Sequence, residues 1–233
     1  MPNKKPGRLA VGVVGSGKVG PVLARALAGA GHEITAITAS DDAARERVES
    51  MLPGVPVRPL DVVVRDSQLV LFAIPGHELP QLVAGLTTAK IWQPGQLLVH
   101  TAPEHGYSVF NPATAVGAIP LALHPALVFT GTSLDLARLS ESTIAVTAPD
   151  IVLPIGQALA VEMGGEPVVI SDADRPAYAD MLDAAREMSA AIVKQTVSGL
   201  RELGAAMPER IVAGVANAAV AEALRVAEQY SAE

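Results

Sequence analysis

The stretch LAVGVVGSGKVGPVLARAL, residues 9–27, decides the fold. It begins with an apolar run, passes through glycines spaced GxGxxG at Gly15, Gly17 and Gly20, and continues with apolar residues at helical period. This spacing, directly after a predicted strand and at the start of a predicted helix, is typical of a loop that binds the pyrophosphate of a dinucleotide. The alternative is a tight strand–helix turn in which the glycines carry no ligand.

Each glycine of this loop has a separate steric role in binding a dinucleotide. Gly15 allows the tight turn, Gly17 lets a phosphate approach bare backbone, and Gly20 lets the helix pack closely on the strand. The helix N-terminus then offers free N–H groups and a partial positive charge to the phosphates. Because a second predicted strand follows at residue 33, the βαβ unit is intact. Lys18 lies outside any GxxxxGK[ST] frame, which excludes a Walker-type loop.

The end of the second predicted strand bears on which dinucleotide is bound. Folds that prefer NAD place an Asp or Glu there to bind the ribose 2′-hydroxyl, whereas this chain has Thr38. Hydroxyls and guanidinium groups nearby can bind a 2′-phosphate: Thr38, Ser40, and Arg45 or Arg47. Asp41 and Asp42 would repel it, although they can instead cap the next helix. The sequence favours NADP slightly and leaves NAD open.

Over the first 170 residues short apolar runs alternate with helical patterns, which predicts an α/β domain with a doubly wound, mostly parallel sheet. The first eight residues are predicted to be a short disordered tail. The predicted strands are 9–14, 33–38, 69–73, 96–100, 119–123, 143–146 and 167–170. The predicted helices are 18–30, 42–51, 78–86, 111–116 and 149–163.

Residues 171–233 are predicted to form a small all-helical domain. Apolar residues recur at three- and four-residue spacing over 172–203 and again over 208–229, which predicts two helices. Met181, Met188 and Ile192 form part of a stripe that one further helix is too small to cover. We therefore expect a homodimer through the C-terminal helices. The alternative is a monomer whose tail folds back onto the first domain.

Composition excludes several classes of function. The chain has 233 residues, no cysteine and a formal charge of −7, with 3% aromatic residues. A general nucleic-acid-binding protein wants basic faces and aromatic stacking platforms, so no nucleic-acid partner is expected. No apolar run approaches the ~20 residues of a membrane span, so no membrane partner is expected. The lack of cysteine is compatible with a cytoplasmic location.

Three stretches together resemble a known family: AVGVVGSGKVG, LVLFAIPGHEL and HTAPEHGYSVFNPATAVGAIPLALHPALVFTGT. The chain is similar to Rossmann-like dehydrogenases whose C-terminal half is a domain of unknown function. These belong to the 6-phosphogluconate dehydrogenase-like superfamily, with pyrroline-5-carboxylate reductase and F420-dependent NADP reductase as relatives. The resemblance implies NAD(P) binding and a reductase or dehydrogenase activity. It implies cofactor contacts from Gly15, Ser16, Gly17, Lys18, Val19, Gly20, Ala73, Ile74, Pro75, His100 and Thr101.

The chain departs from this family in its second half. Ala102-Pro103 stands where members carry Ser-Gly, and Tyr178-Ala179 stands where they carry Tyr-His. Glu187 stands near the position of a usual Asn, and the family pattern implies further helices beyond Glu233. These departures keep a second interpretation open, namely a non-catalytic dinucleotide-binding protein that acts as a sensor or partner subunit.

Two histidines are candidates for acid–base catalysis. Ligands of open α/β sheets bind beyond the carboxyl ends of the strands, and His124 follows a predicted strand there. An unperturbed histidine titrates near neutrality, so His124 is the first candidate and His105, in a predicted loop, the second. No HxxxH or HExxH spacing supports a metal site. The expected substrate is a small carbonyl, imine or hydroxyacid compound.

Overall fold

The structure is a computed structural model that describes residues 8–230, so the predicted N-terminal tail lies outside the described residues except for Arg8. Seven strands form one sheet, in agreement with the seven predicted. Strands β3 and β4 are buried along their whole length, as expected of parallel strands covered on both faces. The strands are β1 (Ala10–Val14), β2 (Glu33–Ile37), β3 (Leu69–Phe72), β4 (Leu97–His100), β5 (Ile119–Pro125), β6 (Thr143–Thr147) and β7 (Glu166–Val169).

The spatial order of the strands is β2-β1-β3-β4-β5-β6-β7. Every neighbouring pair is parallel except β5 and β6, which are antiparallel. The chain leaves β1 toward one edge and returns to continue toward the other, so the strand order reverses between β1 and β3. Ligands of doubly wound sheets bind at such a switch point, outside the carboxyl ends of the strands.

Nine α-helices occur within residues 8–230. They are α1 (Gly20–Gly29), α2 (Asp42–Met51), α3 (Leu60–Arg65), α4 (Leu79–Thr88), α5 (Asn111–Thr114), α6 (Leu134–Leu139), α7 (Leu153–Glu162), α8 (Arg175–Glu202) and α9 (Pro208–Tyr230). The sequence did not predict α3 or α6, because six residues are too few to display a helical period. Helix α7 begins later than predicted, with a proline in its first turn, where proline is favoured.

Each face of the sheet has its own hydrophobic core. Helices α1, α2, α6 and α7 cover one face, where Leu23, Val48, Leu139 and Leu159 pack. Helices α3, α4 and α5 cover the other face together with Phe110. On that second face, one row of residues is aligned across five neighbouring strands: Val14, Phe72, His100, Ala122 and Thr147. The row is apolar at Val14 and Phe72, and its two polar residues, His100 and Thr147, lie farther along the sheet.

The chain divides into two compact units, residues 1–179 and 180–233. The first contains the whole sheet, and the division falls inside α8, later than the predicted boundary at residue 170. The second unit consists of the rest of α8 and of α9, whose side chains Arg201 and Glu209 form an ion pair. In residues 8–230, no helix is long and apolar enough to cross a membrane.

Candidate functional site

The glycine loop follows β1 at the switch point of the sheet. Gly15 has a φ of +109°, and a Cβ there would overlap the carbonyl oxygen of Ala73. A Cβ on Gly20 would overlap the carbonyl oxygen of Gly15, so both glycines are required by the protein's own backbone. A Cβ on Gly17 would meet no protein atom within 4 Å. The space beside Gly17 is therefore open to a ligand.

Helix α1 begins at Gly20 and its N-terminus has no side-chain cap at Val19. The first N–H groups of a helix lack partners within the helix and attract anions. Arg47 of α2 donates a hydrogen bond of 2.6 Å from Nη1 to the Ser16 carbonyl oxygen. This contact engages a carbonyl of the loop and none of its N–H groups. An uncapped helix terminus beside an open glycine fits a phosphate group.

A cavity of about 510 Å³ extends from this loop to the end of β2. Its lining includes Gly15, Ser16, Gly17, Thr38, Ser40, Asp41, Arg47, Ala73, Ile74 and Pro75. A second cavity of about 850 Å³, between α3 and α4, shares Thr38, Ile74 and Glu78 with the first. Together they give the switch point room for an elongated ligand.

The polar groups at the end of β2 are engaged with one another. The Thr38 hydroxyl oxygen accepts a hydrogen bond of 2.9 Å from the Gly15 N–H, so Thr38 supports the glycine turn as well as lining the cavity. Ser40 donates to Asp41, which caps α2 by accepting from the Ala44 N–H at 2.8 Å. The hydrogen bond from Ala44, followed by that from Ser40, lowers the pKa of Asp41. The cavity lining thus includes two carboxylates, Asp41 and Glu78, and one guanidinium, Arg47.

A smaller crevice of about 340 Å³ lies beyond the carboxyl ends of β3, β4 and β5. Its lining includes Lys18, Val19, Ala73, Ile74, Pro75, Thr101, His124 and Phe129. Predicted cofactor residues from the loops after β1, β3 and β4 are thus brought together with His124, the first catalytic candidate. His100 and His105 are not among the lining residues.

A turn beside Lys18 is held by a buried carboxylate that the sequence analysis did not single out. Asp135, fully buried, accepts hydrogen bonds of 2.8 Å from the backbone N–H groups of Thr130 and Gly131. Burial opposes ionisation of Asp135, but these hydrogen bonds and that of Arg138 outweigh it and lower the pKa. Gly131 lies close enough that a Cβ would come within 3.1 Å of the Lys18 side chain. The carboxylate therefore fixes the turn that lies beside Lys18, a residue of the crevice lining.

His124 is paired with a tyrosine from the start of α8. His124 Nδ1 lies 2.9 Å from the Tyr178 hydroxyl, and the two rings meet edge to face. Burial, and then the positive charge of Arg175, lower the pKa of His124 to about 4. The expectation that this histidine titrates near neutrality is therefore wrong, and the imidazole is neutral at pH 7. Its Nε2 is the ring nitrogen that Tyr178 does not use.

The other two histidines near the site contact loop carbonyls. His100 is fully buried, and its Nε2 lies 3.0 Å from the Gly106 carbonyl oxygen, which accepts the ring N–H. Burial lowers its pKa to about 3, so it is also neutral. His105, half-buried, lies 3.0 Å from the Gly76 carbonyl oxygen in the same way. Among residues 8–230, no three His, Asp or Glu side chains are arranged to hold a metal ion.

Sequence reasoning did not identify Tyr178 or Arg175 as site residues. Tyr178 carried a signal, since it occupies the tyrosine position of the family's Tyr-His pair. Arg175 carried none, because an arginine in the first turn of a long helix is ordinarily solvated. The positions of Tyr178 and Arg175 in the site depend on where α8 starts relative to β5 and β6, and only the structure shows this.

Residues 2–125 match the family described as Rossmann-like domain. Over 103 residues the chain is 30% identical to glycerol-3-phosphate dehydrogenase (NAD(P)+) 2 of Lactobacillus delbrueckii subsp. bulgaricus. That match covers 40% of this chain and 30% of the enzyme, so the chain matches less than a third of that relative's length.

Solved structures share the fold at low sequence identity. An imine reductase from Streptomyces aurantiacus gives a TM-score of 0.71 at 15% identity, covering 96% of this chain and 77% of that chain. A pyrroline-5-carboxylate reductase from Coxiella burnetii gives 0.66 at 10% identity, covering 95% and 80%. At such identities the likeness concerns the fold alone.

Proposed function

Because the chain belongs to the Rossmann-like domain family, we propose that it is an NAD(P)-dependent oxidoreductase of a small carbonyl, imine or hydroxyacid substrate. The observation that carries the proposal is the open space at Gly17, beside an uncapped helix terminus, next to a crevice that contains His124. The dehydrogenase and reductases among the similar proteins support the same reaction class.

In this proposal the pyrophosphate binds at Gly15–Gly20. Ile74 and Pro75 line the path from there to the crevice, since they border both the 510 Å³ cavity and the crevice. A bound nicotinamide supplies or accepts hydride. The chain itself must exclude water, orient the substrate and exchange one proton with it. The polar side chains that line the crevice are Lys18 of the glycine loop, Thr101 after β4 and His124 near the end of β5.

His124 and Tyr178 form the proton path. In the tautomer with its proton on Nε2, neutral His124 accepts the Tyr178 hydroxyl proton at Nδ1 while Nε2–H passes its proton to the substrate oxygen or nitrogen. The transient phenolate lies beside the Arg175 guanidinium, 5.7 Å from the ring centre, and takes its proton back from Nδ1 when Nε2 is reprotonated from solvent, which restores the starting tautomer. Burial raises the pKa of Tyr178 and Arg175 offsets part of this rise, so the phenol form is restored.

Calorimetry with NADPH and NADH, followed by NADPH oxidation across a panel of carbonyl compounds and cyclic imines, tests the proposal. Binding with turnover of at least one compound supports an oxidoreductase. Binding without turnover of any compound favours the non-catalytic dinucleotide-binding protein. Failure to bind either dinucleotide contradicts both.

Thr38→Asp is expected to reverse the preference between cofactors. With Thr38 and Arg47 in the cavity, wild-type protein binds NADPH at least as tightly as NADH. An aspartate at this position would repel a 2′-phosphate and accept from the ribose 2′-hydroxyl. Calorimetry with both cofactors measures the change, and Thr38→Val is the control that removes the hydrogen bond to Gly15 without adding charge. Equal losses for both cofactors in Thr38→Asp would contradict a position near the 2′-oxygen.

We also propose a cytoplasmic homodimer, a location supported by the cysteine-free sequence. The second unit exposes large apolar side chains on both helices, including Met188 (65% exposed), Ile192 (61%) and Val215 (69%). Contiguous apolar surface of several hundred Å² is unusual for a monomer, and two-fold symmetry is the commonest way to cover it.

Light scattering should give twice the single-chain mass of 23.9 kDa at micromolar concentration. Met188→Glu combined with Ile192→Glu should give the single-chain mass, because buried carboxylates would be unpaired in the interface. Ile151→Glu, at a 90% exposed position of the first unit, is the matched control and should leave the mass unchanged. A single-chain mass for wild type would rule out the dimer.

A further inference from the structure

Arg175, at the start of α8, is a fully buried arginine that is bound to the sheet. Its Nε donates to the Thr147 hydroxyl at 2.7 Å. Its Nη2 donates to the carbonyl oxygens of Ala122 at 3.0 Å and Ala145 at 2.9 Å. The acceptors belong to β5 and β6, so these hydrogen bonds fix the position of the guanidinium over those two strands.

Within residues 8–230, Arg175 forms no ion pair with an acid. Its three acceptors are uncharged, so they hold the guanidinium without neutralising its charge. Asp172 acts on it only at longer range, and its carboxylate accepts from the Ser108 N–H at 3.1 Å. Burial lowers the pKa of Arg175 to about 10, so the side chain is a cation at pH 7. An unpaired buried charge is costly to the fold, and such costs are expected at functional sites.

The unpaired cation adjoins the hydrogen-bonded pair of Tyr178 and His124. The guanidinium carbon of Arg175 lies 5.7 Å from the centre of the Tyr178 ring. Its acceptor Ala122 is two residues before His124 on β5, and alternate residues of a strand share one face. Arg175 lines neither the crevice nor the two cavities of the switch point. It therefore acts on the site through Tyr178 and through its electric field, without contact with a ligand.

The charge of Arg175 is the one that bears on this pair. After burial, that charge is the cause that lowers the pKa of His124, and it also opposes the rise that burial gives to the pKa of Tyr178. The remaining titratable groups nearby come from the loop after β1, from β4 and its following loop, and from the segment before α8: Lys18, His100, His105 and Asp172. Of these, Lys18 is the other cation, and it lines the crevice together with His124.

We propose that Arg175 is a positioning residue whose charge is left without an acid partner so that its field acts on the Tyr178–His124 pair. A cation at this place opposes the arrival of a second proton on His124 and stabilises negative charge on the Tyr178 oxygen. Both effects favour the transfer in which Tyr178 gives its proton to Nδ1 while Nε2 gives its own to the substrate. Because the guanidinium is buried, its field is little screened. The effect on turnover rests on the proposed function, whereas the effect on the charge of the pair does not.

NMR titration of His124 gives the primary test, since it needs neither cofactor nor substrate. We expect a pKa of about 4 in wild type. Arg175→Gln should raise this pKa by about 1, because a nearby positive charge is removed while burial remains. Arg175→Lys keeps a cation at the position and should leave the pKa near the wild-type value. A wild-type pKa near 6.5, or equal pKa values in wild type and Arg175→Gln, overturns the proposal.

Further variants separate the charge of Arg175 from its packing. Lys18→Met removes the other cation and should leave the pKa of His124 unchanged, so a rise equal to that of Arg175→Gln overturns the proposal. Thr147→Asp puts a carboxylate beside Nε and supplies the missing acid partner, while Thr147→Asn is its uncharged match in shape. The pKa of His124 should rise in Thr147→Asp and stay near wild type in Thr147→Asn. If Arg175→Gln does not fold, this second pair replaces it, and equal pKa values in the pair overturn the proposal.

Kinetics extend the test to the proposed function. Arg175→Gln should lower kcat by about tenfold or more while KM and NADPH affinity stay near wild type, because the charge acts on proton transfer and not on binding. The solvent isotope effect on kcat should rise, since proton transfer then limits more of the rate, whereas a purely structural role would leave it unchanged. If wild type binds no dinucleotide, the proposed function fails, and the titration still tests the action of Arg175 on the pair. If wild type turns a substrate over and kcat is unchanged in Arg175→Gln, only this inference fails.

Discussion

Substitution of Gly17 by Val is expected to abolish NADPH binding while the protein stays folded. The new side chain would meet no protein atom within 4 Å, so it should cost little stability, but it would occupy the space that a phosphate needs. We expect calorimetry to show at least about a 100-fold loss of affinity, which corresponds to about 2.8 kcal/mol. Undiminished affinity would show that the dinucleotide binds elsewhere.

Substitutions of two other glycines serve as controls for the effect of Gly17→Val on NADPH binding. A Cβ at Gly20 overlaps the Gly15 carbonyl oxygen, so Gly20→Val should lower the melting temperature as well as binding. Gly29, near the end of α1, also has no atom within 4 Å of an added Cβ, and Gly29→Val should leave binding intact. Thermal unfolding of the three variants separates loss of the fold from loss of the ligand.

His124→Asn is expected to lower turnover by about 100-fold or more with little change in cofactor affinity. Asparagine keeps a polar side chain in the crevice but cannot relay a proton. Tyr178→Phe should lower turnover by a similar factor, since Tyr178 is the group that supplies a proton to Nδ1 of His124 in this path. Steady-state kinetics with the best substrate of the panel measures both, and unchanged turnover in His124→Asn would contradict its role.

The pH profile distinguishes this proton path from ordinary imidazolium catalysis. Because the pKa of His124 is lowered to about 4, the protonated form accumulates only below that pH. We expect no inflection in kcat/KM from His124 between pH 5 and 8, the range in which an unperturbed histidine changes charge. An inflection near pH 6.5 that disappears in His124→Asn would show that the buried environment does not control this residue.

The sheet was predictable because its signals are local. Strands such as LVLF at β3 are continuous apolar runs, and the glycine spacing follows β1 directly. The turn at Gly15 was predictable for the same reason, since the need for a positive φ is a property of one residue. Helix α3 was not predictable, because six residues give too little periodicity.

The chemistry of the crevice was only partly predictable because it depends on contacts between distant residues. His124 was identified from its place after a strand, but its neutral state results from burial and from Arg175, 51 positions later in the sequence. The partner hydroxyl of His124 comes from Tyr178, which lies beyond β6 and β7 in the chain. No pattern of spacing specifies such a contact.

The three glycines of the loop differ in what keeps them in place, and this has a consequence for how related chains diverge. Gly15 and Gly20 are required by backbone contacts, so any descendant that still folds must keep them. Gly17 has no such contact, so under the proposed function only the dinucleotide selects for glycine there, and that selection ends when a lineage stops using the dinucleotide. A homologue that has the first and third glycines but a bulky residue at the second is therefore expected to keep the fold and to have lost dinucleotide binding. The residue at the middle position alone would then distinguish lineages that use the dinucleotide from those that do not.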